Sequence, residues 1–150
     1  MDNTNDNYDK KIEDIEEKLK KYFETYDMSN SKIALKVAHT FKTKNVNNEL
    51  AMSLNLSERD LYLSNLIALF HDYARFEQVK QYDTFSDLSS FDHGDLGAKL
   101  LIEENQISKF VDDLNEEEKE IIRLAVKNHN KFQIENGLNG KEELFAYLVL

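Results

Sequence analysis

The sequence predicts an all-helical fold. Its 150 residues contain no proline and only four glycines, the two residue types that most oppose helix formation. Strands would appear as repeated alternation of apolar and polar residues, and no segment shows that pattern. Apolar residues instead recur at spacings of three and four, which places them on one face of a helix.

The N-terminal part of the chain predicts three helices. Residues 8–26 carry one apolar stripe and form the first. Ser29 or Asn30 can cap the second, because both side chains accept hydrogen bonds from the free backbone N–H groups of a helix start. A shorter third helix is predicted over 48–55.

A fourth helix begins near Ser57, where Ser57 and Asp60 resemble a capping box with Asp in place of the preferred Glu or Gln. This helix is apolar around most of its circumference as far as Phe70, so we expect it to be the central, most buried helix. Residues 76–91 are rich in polar residues without helical periodicity, and we predict a long loop there, a kind of segment that often serves function.

The remainder of the chain predicts further helices, which gives a bundle of about six to seven in a single domain. Residues 1–28 would form an N-terminal helix and residues 32–150 the core. The remaining elements are, in order, a helix over 93–104 capped by Asp92, a short helix over 107–111, a helix capped by Asn115, a turn at 136–140 and a last helix from Glu142.

Composition excludes several classes of function. The net charge of -10 argues against a broad nucleic-acid interface, which needs a basic face. No run approaches the roughly 18 apolar residues of a membrane span, and the polar segment Met1–Lys21 has no signal-peptide character. Without cysteine, neither disulfides nor thiolate metal sites are available. We therefore predict a soluble, cytoplasmic protein, and its acidic charge leaves a small phosphate ligand open.

The chain has four histidines, and each lies on or at the end of a different predicted helix: His39, His71, His93 and His129. Imidazole is the commonest metal-binding side chain. Facing helices that each project one ligand inward are an established way to build a metal site. Taken singly, each position is more typical of a surface histidine or of a buried one bonded within the core.

The pair His71-Asp72 is harder to explain without a function. It ends the most apolar helix, where polar groups cost free energy unless something pairs with them. A metal ion is one such partner. Arg75 is another, since spacings of three and four place it on the same face, and a structural Asp72–Arg75 salt bridge is the plain alternative.

Four short segments contain or lie near the histidines. The segments are His71-Asp72-Tyr73-Ala74-Arg75-Phe76-Glu77-Gln78, Tyr82-Asp83-Thr84-Phe85, Asp92-His93-Gly94 and Asn128-His129-Asn130-Lys131. Together with the order His39, His71-Asp72, His93, His129, these segments resemble the HD superfamily of metal-dependent phosphohydrolases, over roughly Lys32 to Leu150. They look like those of a bacterial HD-domain group.

The resemblance implies a helical HD-domain bundle that binds one or two divalent metal ions. His39, His71 and Asp72 would hold the first ion. His93 and His129 would bind a second ion or contact substrate phosphate, and Asp72 would bridge two ions. The same ligands accept several metals, so Mn, Fe, Co, Ni, Zn and Mg all stay open.

The expected reaction is hydrolysis of a small phosphate ester, for example a nucleotide. The metal would lower the pKa of a bound water and polarise a phosphoryl oxygen. Asp72 and Arg75 are the predicted catalytic residues. Arg75 and Lys131 are the candidates for binding substrate phosphate, because both follow motif histidines and a guanidinium suits phosphate geometry. Lys131 as an ordinary surface lysine is an equal alternative.

The end of the chain departs from the family's pattern. A final Asp ligand normally follows an apolar helix after the fourth histidine. Here the matching apolar segment, Leu144–Leu150, reaches the end of the sequence, and no Asp follows Asp113. We therefore expect the C-terminal part of the domain to lie beyond Leu150. The alternative is a degenerate, non-catalytic HD module that binds a metal or ligand for regulation.

Overall fold

The computed structural model describes residues 4–129, with side chains from residue 7 onward. Every regular element in this range is helical, which confirms the predicted all-helical class. None of these helices combines the length and apolar character that crossing a bilayer requires. The elements are α1 (Thr4–Phe23), α2 (Ser31–Ser53), α3 (Glu58–Phe70), α4 (Arg75–Tyr82), α5 (His93–Ala98), a π-helical segment (Lys99–Glu103), a 3-10 helix (Gln106–Lys109) and α6 (Glu116–Asn128).

Helix α3 is the centre of the described fold, as its sequence predicts. Every residue from Tyr62 to Phe70 is buried, because α3 packs against α1, α2 and α6 on different sides. Burial all round explains why the helix is apolar on most of its surface. The residues that follow it, His71 and Asp72, therefore emerge inside the protein.

The prediction of a separate helix over 48–55 is wrong, because α2 continues without a break to Ser53. Asn45, Asn47 and Asn48 lie in this part of α2, and Asn is a weak helix former. Asn47 is nevertheless buried, and its amide donates to Ser64 Oγ at 3.2 Å and to Asn65 Oδ1 at 3.1 Å on α3. These tertiary bonds outweigh the weak local preference.

The prediction of one loop over 76–91 is wrong in its first half. Residues 75–82 form α4, and the irregular segment begins at Asp83. The helix was missed because its buried face combines Phe76 and Val79 with the polar Gln78, which breaks the apolar periodicity. Gln78 is fully buried, and its amide nitrogen donates hydrogen bonds to Asp87 and Ser90 in the segment after α4. These bonds compensate for the burial of a polar side chain.

The first helix ends at Phe23, three residues before the predicted end. Tyr26 continues the apolar stripe in sequence but lies in the turn after the helix. There its hydroxyl pairs with that of Tyr22 at 2.8 Å and donates to Glu77 Oε1 at 3.1 Å. The contacts of Tyr26 with distant residues therefore explain why the apolar stripe continues in the sequence beyond the end of α1.

Four of the predicted helix starts are confirmed by their capping bonds. The side chains of Asn30, Ser57 and Asp92 each accept a backbone N–H of the helix that follows. Asn115 and Glu118 form a complete reciprocal capping box at α6. The helix predicted over 93–104 is present to Glu103, although its second half is π-helical.

Helices α5 and α6 pack closely at a glycine. A Cβ atom at Gly97 would lie 3.1 Å from Val126 Cγ1, so a larger residue would require Val126 to shift by a few tenths of an ångström. Gly97 is one turn after His93, and Val126 is three residues before His129. The predicted turn at 136–140, the last helix from Glu142, and Lys131 lie outside the described residues.

Arg59 links the start of α3 to the start of α6. Its guanidinium donates to both carboxylate oxygens of Glu118, at 2.7 and 2.8 Å, and to Asp113 Oδ2 at 3.1 Å. The bidentate bond to Arg59 holds the pKa of Glu118 below its usual value. Burial acts to raise the pKa of Asp113, but its bonds to Lys11, Arg59 and Tyr62 outweigh burial and lower it.

We expect Arg59→Met to reduce the free energy of unfolding at pH 7 by about 1–3 kcal/mol, since it removes the guanidinium that hydrogen-bonds to two partly buried carboxylates. Both carboxylates have depressed pKa values in the folded state, so their stabilisation is present above their ordinary pKa of about 4 and is lost as pH falls further. Urea unfolding from pH 7 to pH 3 measures this. The free energies of unfolding of the wild type and of Arg59→Met should become equal in acid.

The control is Arg123→Met, which removes a pair with Glu120 within α6 and should cost about 0.5 kcal/mol or less. A loss from Arg59→Met that is equal to the control, or that grows on acidification, would contradict the proposed role of this network.

Candidate metal centre

The site is built around the carboxylate of Asp72. Helix α3 ends at Phe70, and His71 and Asp72 lie in the turn that leads to α4. The Asp72 side chain is only 5% exposed, although a buried carboxylate is costly unless it is compensated. The compensation comes from the adjacent His71 and from three histidines and a lysine on other parts of the fold.

Two histidines face one oxygen of this carboxylate. His39 Nε2, from α2, lies 3.5 Å from Asp72 Oδ2, and His71 Nε2 lies 3.3 Å from the same oxygen. We call His39, His71 and Asp72 the open group, because the His39 side chain is 46% exposed. One ligand atom from each residue lies within 4.8 Å of the others, which is compatible with a shared metal ion.

The other two histidines face the second oxygen. His93 Nε2, at the start of α5, and His129 Nε2, at the end of α6, each lie 3.4 Å from Asp72 Oδ1. We call Asp72, His93 and His129 the closed group, because all three side chains are largely buried. Their ligand atoms also lie within 4.8 Å of one another. One carboxylate therefore serves two candidate metal positions.

Two of the imidazoles are fixed by the ends of their helices. His71 Nδ1 donates to the carbonyl oxygen of Ala68, and His129 Nδ1 donates to that of Val126, each at 2.6 Å. A carbonyl can only accept, so Nδ1 carries a proton, and in the neutral ring Nε2 carries the lone pair that a metal needs. Both residues follow the last residue of a helix, where the helix dipole favours positive charge.

Asp87 fixes the third imidazole. Both of its carboxylate oxygens lie 3.0 Å from His93 Nδ1, and the amide of Gln78 donates to Oδ1 at 2.9 Å. Burial opposes ionisation of Asp87, but its bonds with Gln78 and His93 lower its pKa. A carboxylate behind a metal-binding histidine is a common supporting arrangement. Asp87 was not predicted, because nothing in a polar loop distinguishes one Asp from its neighbours.

Two imidazole nitrogens meet within the closed group. His93 Nε2 and His129 Nε2 are 2.8 Å apart, while the Nδ1 atom of each ring faces an acceptor. Burial lowers the pKa of His129 more than its bond to Asp72 raises it. If both rings are neutral, two lone pairs face each other, and only a shared proton or a bound cation relieves that contact.

Asp72 itself is ionised. Burial acts to raise its pKa, but the imidazoles of His129, His71 and His93 outweigh burial and hold the pKa far below its usual value. Burial, with the charge of Lys36, lowers the pKa of His39. The site thus combines an anionic oxygen ligand with imidazole nitrogen ligands, a set that suits divalent transition metals.

Two cationic side chains border the carboxylate. Lys36 Nζ donates to Asp72 Oδ2 at 3.2 Å. Arg75 Nε lies 3.9 Å from Asp72 Oδ1, beyond hydrogen-bond distance, and Arg75 Nη1 donates to Gln78 Oε1 and to the carbonyl oxygen of Phe85, each at 2.7 Å. Lys36 was not predicted, although it lies three residues before His39 and so on the same face of α2.

The structure therefore brings together His39, His71, Asp72, His93 and His129, with Arg75 beside them, while Lys131 lies outside the described residues. No family model matches the chain, and neither a curated protein nor a solved structure matches it.

We expect the full chain, reconstituted with Mn²⁺ after treatment with a chelator, to bind up to two ions. The double substitution His71→Ala with Asp72→Ala removes ligands from both groups and should bind almost none. His39→Ala affects only the open group and should retain about one ion, because the closed group keeps all its ligands. Elemental analysis after gel filtration measures the content. Equal metal in all three proteins would contradict the site.

We expect Asp87→Asn to weaken Mn²⁺ binding by about 10–100-fold, since the amide is a poorer acceptor for His93 Nδ1 and lowers the basicity of Nε2. The control is Asp83→Asn, in the same segment, where the carboxylate pairs with Lys32 on the surface. Isothermal titration calorimetry measures both variants. An unchanged dissociation constant in Asp87→Asn would rule out its supporting role.

Proposed function

We propose that this protein is a metal-dependent phosphohydrolase of the HD type that acts on a small phosphate ester. The observation that carries the proposal is the arrangement of Asp72, whose two oxygens each face a separate pair of histidines. A carboxylate shared in this way is suited to bridge two divalent ions. The resemblance of the ordered histidine segments to HD phosphohydrolases gives the reaction class.

The residues present fit divalent metal ions. His39 and His71 would hold one ion with Asp72, and His93 and His129 would hold the other. A bound ion would supply the Lewis acidity that polarises a phosphoryl oxygen. Water would attack phosphorus as the ester P–O bond breaks, and the products would be an alcohol and phosphate, or a phosphomonoester if the substrate is a diester.

Positive charge beside the carboxylate supports a phosphate substrate. Lys36 Nζ lies 5.1 Å and the Arg75 guanidinium carbon 5.4 Å from the centroid of the Phe85 ring. The aromatic ring thus stands next to both cations. A phosphate bound beside Asp72 would meet these two positive charges. The net charge of -10 favours a small substrate over a polynucleotide.

The second candidate function is regulatory. In the described residues, the open group offers three protein ligands, fewer than the four that complete many tetrahedral sites. A module that binds one metal tightly and senses a phosphorylated ligand fits this arrangement as well. Metal binding without hydrolysis would favour it.

Hydrolysis assays separate the two candidates. The Mn²⁺-loaded full chain should hydrolyse at least one member of a panel of p-nitrophenyl phosphate, bis-p-nitrophenyl phosphate and common nucleotides. Asp72→Asn should lower that rate by at least about 100-fold, because metal ions contribute several kcal/mol to such reactions. Asp83→Asn should leave the rate unchanged. A metal-loaded chain that hydrolyses none of these substrates would contradict the proposed enzyme.

A further inference from the structure

We infer that Lys36 is a built-in counter-ion that occupies the open group's carboxylate oxygen until a metal ion displaces it, so that the closed group loads first. The inference rests on the proposed metal-dependent function and adds an order of metal loading to it. It also makes Lys36 a positioning residue, which acts on the metal through Asp72.

The geometry of Lys36 carries the first step. Its ammonium donates to Asp72 Oδ2 at 3.2 Å, and this is the oxygen that His39 and His71 also face. The Lys36 side chain is 17% exposed, so water screens its charge only partly. A divalent ion at the same oxygen would meet a like charge at close range, so Lys36 must withdraw before the ion can bind.

The ammonium has a second favourable contact. Lys36 Nζ already lies 5.1 Å from the centroid of the Phe85 ring, within the range of a cation–π interaction. When a metal ion binds Asp72 Oδ2, the contact with the Phe85 ring still holds the Lys36 ammonium. The exchange therefore does not require the ammonium to become a buried, uncompensated charge.

Within residues 7–129, no ammonium donates a hydrogen bond to the closed group's oxygen. This oxygen, Asp72 Oδ1, faces the Arg75 guanidinium at 3.9 Å, and the 2.7 Å bonds of Arg75 Nη1 to Gln78 and Phe85 hold that side chain in place. The two closed imidazoles are fixed through their Nδ1 atoms. Preorganised ligands bind with a smaller loss of conformational freedom, so this group should bind metal more tightly.

The open group is less ordered. His39 is 46% exposed, and its Nε2 atom lies 3.4 Å from Thr43 Oγ1 on the same helix. A metal ion must therefore order His39 and also displace Lys36. Both requirements weaken binding at the open group relative to the closed group.

The test is a calorimetric titration of the metal-free full chain with Mn²⁺, with free aqueous Mn²⁺ followed by electron paramagnetic resonance. The wild type should bind in two steps, the second weaker. Lys36→Met should tighten the second step by at least about tenfold, the factor expected from loss of a competing charge-assisted hydrogen bond. Lys36→Arg keeps the charge and should retain the wild-type second step.

The matched control is Lys32→Met. Lys32 is one turn earlier on α2 and forms an ion pair with Asp83 at 3.3 Å, so its loss should leave both Mn²⁺ steps unchanged. A general structural effect of removing a lysine would weaken metal binding, whereas the inference requires it to become tighter. If Lys36→Met does not fold, Lys36→Gln provides the same comparison.

An unchanged or weaker second step in the neutral Lys36 variants would overturn the inference, as would a single Mn²⁺ step in the wild type. The proposed function is tested separately by hydrolysis. A tightened second step in a chain without hydrolytic activity would support the inference and refute the enzyme. Hydrolysis together with a Lys36-independent second step would refute the inference alone.

Discussion

The ionised, buried carboxylate of Asp72 is the constraint on which the rest of the site depends. A carboxylate in such a place is strongly destabilising unless charged or polar groups surround it. Imidazoles from α2, α5 and α6, the adjacent His71, and the ammonium of Lys36 provide that surrounding. The helices converge because α3 is buried on all sides and delivers Asp72 to the place where its neighbours meet.

The local fold also favours a cation beside this carboxylate. Helices α3 and α6 both end at the site, and their carbonyl ends add negative potential to that of Asp72. The final turn of each helix also holds an imidazole with its Nε2 atom toward the carboxylate, through the bonds to Ala68 and Val126. The same backbone geometry therefore supplies both the ligand orientation and the electrostatic preference. The ammonium of Lys36 meets part of this preference, because it places a positive charge beside Asp72.

Much of this arrangement could be predicted from the sequence because its signals are local. Helix caps and the apolar circumference of α3 depend on neighbouring residues, and the histidine order could be read directly. The features that were missed depend on distant partners. Asn47 continues α2 only because α3 accepts its amide. Gln78 is buried in α4 only because the segment that includes Asp87 folds back onto it. The roles of Lys36 and Asp87 likewise exist only once the histidines have converged.

The central claim is that one carboxylate organises two metal positions. X-ray diffraction from crystals of the full chain soaked in Mn²⁺, with data collected at a wavelength where manganese scatters anomalously, tests it most directly. The account predicts two anomalous peaks, one on each side of the Asp72 carboxylate, one beside His39 and His71 and the other beside His93 and His129. The absence of a peak at Asp72, or metal bound only elsewhere on the protein, would contradict it.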